Sequence, residues 1–127
     1  MTLVDTHIFI WLNEDKSRIP HKMLAALDAE PDLRVSPISF WEVAMLNAKG
    51  RITLSEPVLF WLRHALEYPK MDVLPLTPEI AARSAGIVMH GDPADRLIVA
   101  TALEHACRFA SVDSLMTEIP SLRPFLL

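Results

Sequence analysis

The chain has a single cysteine, Cys107, so it can form no disulfide within itself, and a reducing compartment is the simpler setting. Cys107 sits in an apolar stretch with no second thiol near it, the pattern of a small buried hydrophobe and not of a reactive nucleophile. No Cys/His pairs stand at ligand spacing either, which excludes zinc. No run approaches the roughly 20 apolar residues that a membrane span needs, so no membrane partner is expected. The opening Met1-Thr2-Leu3-Val4-Asp5 lacks the basic start of a secretory signal, and a soluble cytoplasmic protein is the expectation. A basic excess is missing too. The 16 acidic and 12 basic residues give a formal charge of −4, the wrong sign for a generic nucleic-acid binder. A nuclease that holds its own cations stays open.

What is present fits one domain spanning residues 1–127, large enough to bury roughly two-thirds of its unfolded surface without disulfides. Apolar runs alternate with helical patterns. Met1–Val4 reads as a buried strand, His7–Leu12 as a helix, Pro20–Ala29 as an amphipathic helix and Leu33–Pro37 as a second strand. Ser39–Ala48 reads as a helix with Trp41, Met45 and Ala48 on one face, stopped by Gly50. A helix over Glu56–Leu66 is announced by Ser55 as its cap and Pro57 in its first turn. Asp72–Leu76 is a third strand and Pro78–Val88 a helix. Asp92-Pro93 opens a long helix that reaches Ala106. Arg108–Val112 is a fourth strand, followed by a short helix and an edge strand near Pro124–Leu127. The implied fold is α/β: three layers, α/β/α, around a central parallel sheet of four to five strands.

In such sheets ligands gather where strands end and helices begin, and acids occupy those junctions. Asp5 follows strand one, and Glu42 falls in the first turn of the helix after strand two. Asp92 and Asp95 open the long helix, and Asp113 follows strand four. Capping explains several of them singly: Ser39 to Glu42 and Asp92 to Asp95 both fit a capping box, and Asp113 could cap the helix behind it. Asp5 is different. It lies in an otherwise apolar stretch without a nearby Lys or Arg, and buried carboxylates are usually paired or bound to metal. Carboxylates sharing a pocket raise one another's pKa, a conflict that a divalent cation removes. An all-oxygen donor set suits Mg²⁺, with Mn²⁺ as substitute. Such a site can hydrolyse a phosphodiester without a protein nucleophile.

Leu3-Val4-Asp5-Thr6-His7, Ser36-Pro37-Ile38-Ser39-Phe40-Trp41-Glu42-Val43-Ala44, Gly50-Arg51, the stretch Asp92-Pro93-Ala94-Asp95-Arg96 running on to Ala102, and Ser111-Val112-Asp113 stand in an order that resembles the PIN-domain ribonucleases, in particular VapC-type toxins of bacterial toxin–antitoxin pairs. The resemblance covers nearly the whole chain. It implies a PIN-like fold and Mg²⁺- or Mn²⁺-dependent cleavage of single-stranded RNA, with Asp5, Glu42, Asp95 and Asp113 as catalytic and metal-holding acids. Asp92 is a possible further ligand, and Thr6, Ser39, Arg96 and Ser111 would touch substrate or the ligands. Where the family commonly has Thr two residues before the last acid, this chain has Ser111, whose hydroxyl would face metal-bound water or phosphate. Arg96 could also pair with an acid of the cluster, a structural role. His7 is expected to pack or cap, and His21, His64, His90 and His105 show no convergence. Trp11, Trp41 and Trp61 fit apolar helix faces better than an RNA-stacking platform, and the cations Arg18, Arg34, Lys49, Arg51 and Arg63 look scattered.

Two other readings compete. A receiver- or dehalogenase-like phosphoryl-transfer domain would need an early acidic pair and a late lysine, but Asp5 stands alone and the last lysine is Lys70. A non-catalytic PIN-like binding module would be expected to lose some of the acids, and all are present. Hydrophobic residues make up 51% of the chain, high for a small protein that must cover itself. Pro57-Val58-Leu59-Phe60-Trp61-Leu62 is apolar throughout, whereas a core-facing helical stripe takes only three or four positions in two turns. Some of these side chains should point outward and mark an interface. The family resemblance implies what would meet it: a second copy, making a homodimer, and a cognate antitoxin.

Overall fold

The computed structural model describes residues 1–127. Four short strands, β1 (Thr2–Val4), β2 (Leu33–Val35), β3 (Met71–Val73) and β4 (Arg108–Ala110), form one sheet in the order β3-β2-β1-β4, with every pair parallel. Leu126 adds an isolated parallel bridge to Phe109. It is all that forms of the expected edge strand, because Pro120–Phe125 closes into a 3-10 helix instead.

β1 lies between β2 and β4, and its side chains alternate between the two faces, as the pleat requires. Val4 joins one apolar cluster with Ile8, Phe9, Leu33, Val35, Val43 and Trp61, whereas Leu3 joins the other with Ile98, Val99, Ala102, Phe109 and Leu122. The first cluster is supplied by helices α1 (Thr6–Glu14), α2 (His21–Ala29), α3 (Pro37–Ala48) and α4 (Val58–Ala65). α5 (Pro78–Ala85) packs on α6 (Pro93–His105), which, with α7 (Ser114–Thr117), lines the second. The three-layer α/β/α arrangement is therefore the observed one. Cys107 is buried in the second cluster, with no other thiol in the chain. No helix is long and apolar enough to cross a membrane.

Two helix starts differ from the sequence expectation. α3 begins at Pro37 under a Ser36 cap whose hydroxyl accepts from Ile38 N, so Ser39 is inside the helix. Proline at the first helical position needs no hydrogen-bond partner and presets φ, which favours this earlier start. α4 begins at Val58 behind Pro57 without a side-chain cap. Ser55 is no cap, because its N–H and hydroxyl both donate to Glu14 Oε1, which also accepts from Trp61 Nε1.

Along the apolar run of α4, Trp61 is buried edge-on to Phe9, with ring centroids 5.7 Å apart. Leu59 and Phe60 are each 57% exposed, the outward pair that a one-sided stripe cannot accommodate. Trp41 is likewise 57% exposed. The face of α3 that carries Trp41 is thus turned to solvent, and Ser39 and Val43 are the buried positions. Trp41 and Met45 do share a face, as their spacing predicts, and it is not the buried one.

The order of the strands sets the location of the site. From β1 the chain steps outward through β2 and β3, then returns to place β4 on the other side of β1. The connections leaving β1 and β4 diverge there and leave a crevice at their carboxyl ends, the usual place for a ligand in such sheets.

Candidate active site

Asp5 follows β1 directly and caps α1: its Oδ1 accepts from Ile8 N at 2.9 Å. Its other oxygen, Oδ2, accepts a hydrogen bond from the Ser111 hydroxyl, beyond the end of β4. Ser111 Oγ in turn accepts from Asp113 N at 3.0 Å, so one hydroxyl ties the two strand ends together. That contact to an acid of the cluster is one of the roles expected of Ser111. Asp113 caps α7 through Leu115 N at 2.9 Å.

Asp92 caps α6, with Asp95 N donating to its Oδ1 at 3.1 Å and Pro93 at the first helical position. Asp95 therefore stands in the first turn of α6, where the helix dipole favours negative charge. Glu42 has no such support. Because α3 starts at Pro37, Glu42 lies in its second turn and belongs to no capping box. Its Oε1 instead accepts from the Thr6 hydroxyl, which also bonds Ser39 Oγ at 2.8 Å. With the Thr6 proton directed at Glu42, Ser39 is the donor in that second bond.

Asp5, Glu42, Asp92, Asp95 and Asp113 thus line one cavity of about 170 Å³, with Thr6, His7, Ile98 and Met116. The crevice brings together every acid singled out from the sequence. Arg96 is not among its walls. Its guanidinium donates to the carbonyls of Ser84, Ile87 and Met89 at 2.8–3.1 Å, fastening the loop ahead of α6. Of the roles expected of it the structural one is observed, made through carbonyls at and beyond the end of α5 and not through an acid of the cluster.

His90 is the residue that sequence reading missed. Its Nδ1 accepts from Asp92 N at 3.3 Å, which in the neutral ring leaves the proton on Nε2. Nε2 lies 3.2 Å from Asp95 Oδ2, ion-pair distance when the ring is charged, although off the line of a hydrogen bond. The available signal was its place two residues before the Asp92 cap.

The charges strain against each other. Burial first, then the charges of Asp92 and Glu42, push Asp95 up to about 6, with His90 acting the other way. Burial likewise raises Glu42, helped by Asp92 and Asp5 and opposed by the Thr6 hydrogen bond. Asp5 is raised by burial above all, against the bonds from Ser111 and Ile8. Oxygen donors of this kind suit a hard cation. The acids line the walls and no three of them form a ready-made ligand group, so a cation held here would take one or two carboxylates directly and reach the others through water.

The comparisons agree with this geometry. The PIN domain family model matches residues 2–122. The chain belongs to the PIN-domain family. It is 36% identical over 113 residues to a Mycobacterium tuberculosis protein named Ribonuclease VapC22, covering 87% of this chain and 85% of that one. Among solved structures it resembles VapBC2 from Rickettsia felis, bound to a fragment of promoter DNA, with a TM-score of 0.69 at 15% identity over 100% of this chain and 98% of that chain. A toxin–antitoxin complex from Klebsiella pneumoniae gives 0.65 at 23% identity, and FitAcB from Neisseria gonorrhoeae 0.64 at 25%, each covering 100% of this chain and 96% of the other. These PIN-type folds match the doubly wound sheet described above.

Asp95 makes the electrostatic strain measurable. A carboxyl that is free at 3.8 in the unfolded chain and held at about 6 in the fold binds its proton more tightly when folded, so it costs stability as pH rises from about 4 to 6. In metal-free buffer the Asp95→Asn protein should lack that loss and be more stable than wild type above pH 6 by about 1–2 kcal/mol. Chemical denaturation at pH 5 and 7.5 checks this, and a variant less stable than wild type at pH 7.5 contradicts it.

Proposed function

We propose that this PIN-domain protein is a Mg²⁺- or Mn²⁺-dependent endoribonuclease that cuts single-stranded RNA, and that it is the cytoplasmic toxin of a VapBC-type toxin–antitoxin pair. The observation that carries the reading is the convergence of five carboxylates on one cavity at the switch point of the sheet. The 36% identity to a protein named as a ribonuclease supports the choice of RNA, and the toxin–antitoxin structural relatives support an antitoxin partner.

Asp5, Asp95, Asp113 and Glu42 would hold the cation, with Asp92 beside them. When bound, the cation supplies Lewis acidity, offsetting the charge that gathers on a phosphodiester under attack and acidifying water. The protein's own share is orientation. Ser111 fixes Asp5 relative to Asp113, and the Ser39–Thr6 pair fixes Glu42. Backbone N–H groups at three helix starts hold one oxygen each of Asp5, Asp92 and Asp113; the other oxygen of Asp92 and Asp113 is left for the cavity, and that of Asp5 also accepts from Ser111. No cysteine or lysine lines the cavity and the Thr6 hydroxyl is committed to Glu42, so water is the nucleophile in this reading.

The exposed Leu59 and Phe60 of α4 support a homodimer and an apolar contact with the antitoxin. Sedimentation at micromolar concentration should show a dimer, and a monomer throughout would contradict it.

RNA cleavage should vanish in excess chelator and return with Mg²⁺ or Mn²⁺. Asp95→Ala should abolish it. Asp5→Asn, which keeps an oxygen to cap α1, should abolish it without unfolding the protein. Asp92→Ala should mainly cost the cap, about 0.5–2 kcal/mol of stability, and keep much of the activity. Full activity in chelator, or equal losses at Asp92 and Asp95 with stability unchanged, would contradict these assignments.

A further inference from the structure

Twelve cationic side chains serve a chain with sixteen acids; five of them are already paired with acids or backbone carbonyls, and Lys16 and Arg18 each lie over an aromatic ring. Arg34 pairs with Asp32 and Asp72, Arg83 with Glu104, and Arg108 with Glu30. Arg96 and Lys70 donate to backbone carbonyls, and Lys16 lies over Tyr68. Two of the unpaired cations, Arg18 and Arg51, line a single cavity of about 320 Å³. His7 lines it as well. His7 is also a wall of the acidic cavity, so the two spaces adjoin.

Local structure explains how residues 33 apart in sequence meet. α3 ends at Gly50 in the left-handed region, φ +70°. Gly50 N bonds Asn47 O at 3.1 Å and Arg51 N bonds Leu46 O at 2.9 Å, the paired closure that turns a chain back at a helix end. That turn delivers Arg51 toward α1. Arg18 comes from the 3-10 turn Lys16–Arg18 that follows α1. Its guanidinium lies 5.1 Å from the Trp11 ring, and His7, one turn earlier on α1, has its ring 5.8 Å from the same indole. The aromatic face holds the guanidinium in place without consuming its N–H donors.

Two acids share the cavity, and one oxygen of each is held by hydrogen bonds. Glu14 Oε1 accepts from Ser55 and Trp61, and Asp15 Oδ1 accepts from Ser17 N and Oγ. Neither arginine has a carboxylate within ion-pair distance, so both forks are free. A guanidinium fork matches phosphate oxygens in pairs. Proteins that hold single strands rely on fixed positive charge along the backbone path, and here two such charges line a cavity that shares His7 with the cavity of carboxylates.

We propose that Arg18 and Arg51 form a second phosphate subsite, which grips the RNA backbone at a phosphate neighbouring the one to be cut. This rests on the ribonuclease reading. The subsite positions the strand and takes no part in the chemistry. Removing it raises KM for a single-stranded substrate and leaves kcat nearly unchanged.

The test compares wild type, Arg18→Ala/Arg51→Ala, Arg18→Lys/Arg51→Lys, and a control, Arg63→Ala/Arg123→Ala, that removes two other unpaired arginines. KM and kcat for an oligoribonucleotide are measured over a salt series, with anisotropy of the labelled strand as a second readout and circular dichroism to confirm folding. The alanine pair should lose about tenfold or more in affinity. Its salt slope should fall by about 0.7, the contribution of one phosphate contact on a single strand. The lysine pair should keep the slope and recover part of the affinity. If the alanine pair does not fold, Arg18→Ala and Arg51→Ala singly carry the test. Unchanged KM and slope would overturn the proposal. So would an equal loss in the control, or a loss confined to binding of a protein partner. A wild type that neither cuts nor binds RNA would instead overturn the ribonuclease reading itself.

Discussion

Burial of several carboxylates in one small cavity, with their mutual repulsion added to it, is the constraint around which this protein is arranged. Asp5 is only 2% exposed, and a buried charge without a cationic partner is destabilising by several kcal/mol unless hydrogen bonds compensate it. The compensation comes in pieces. Three of the acids sit at helix starts, where an otherwise unpaired backbone N–H donates to each. Hydroxyls from Thr6 and Ser111 supply further donors. The balance is incomplete, since Asp5, Glu42 and Asp95 all remain above the ordinary carboxylate range. A fold that keeps such a cluster is poised to take up positive charge.

The apolar layers make that arrangement possible. Leu3 and Val4 anchor β1 in opposite cores, so the backbone leading to Asp5 is held from both sides and its carboxylate cannot swing to solvent. β4 is tied to β1 in register, Val4 opposite Ala110, which brings Ser111 within reach of Asp5. The cations follow the same logic. No lysine or arginine lines the acidic cavity, where an arginine would neutralise the acids permanently and exclude a metal ion.

Much of this could be read from the sequence because the junction rule is geometric. A parallel sheet puts strand ends on one edge, and acids at strand ends therefore meet. The cap at Asp92 was legible from Asp-Pro-Ala-Asp alone, and so were the buried Cys107 and the outward residues of the Pro57–Leu62 run. The errors share a cause, which is that element starts depend on local competition between caps. Choosing Ser39 over Ser36 put Glu42 in the wrong turn of α3. Ser55 was read as a cap because Glu14, its actual partner, lies 41 residues away in sequence. His90 and the pairing of Arg18 with Arg51 were invisible for the same reason: no period or spacing links them, and only the folded loops do. Asp5 was read as a metal residue, and the fold makes it a helix cap, a role compatible with that reading because one carboxylate has oxygens enough for both.

If the acids form a cation site, divalent metal must bind the folded chain more tightly than the unfolded one. The direct measurement is the unfolding free energy at pH 7.5 in chelator and in Mg²⁺ at increasing concentration, for wild type and Asp95→Asn. Wild type should gain stability with the logarithm of free Mg²⁺, reaching about 2.7 kcal/mol at 100 times the dissociation constant, and the variant should gain much less at the same concentrations. A wild-type stability that does not change with Mg²⁺ or Mn²⁺ would contradict the account.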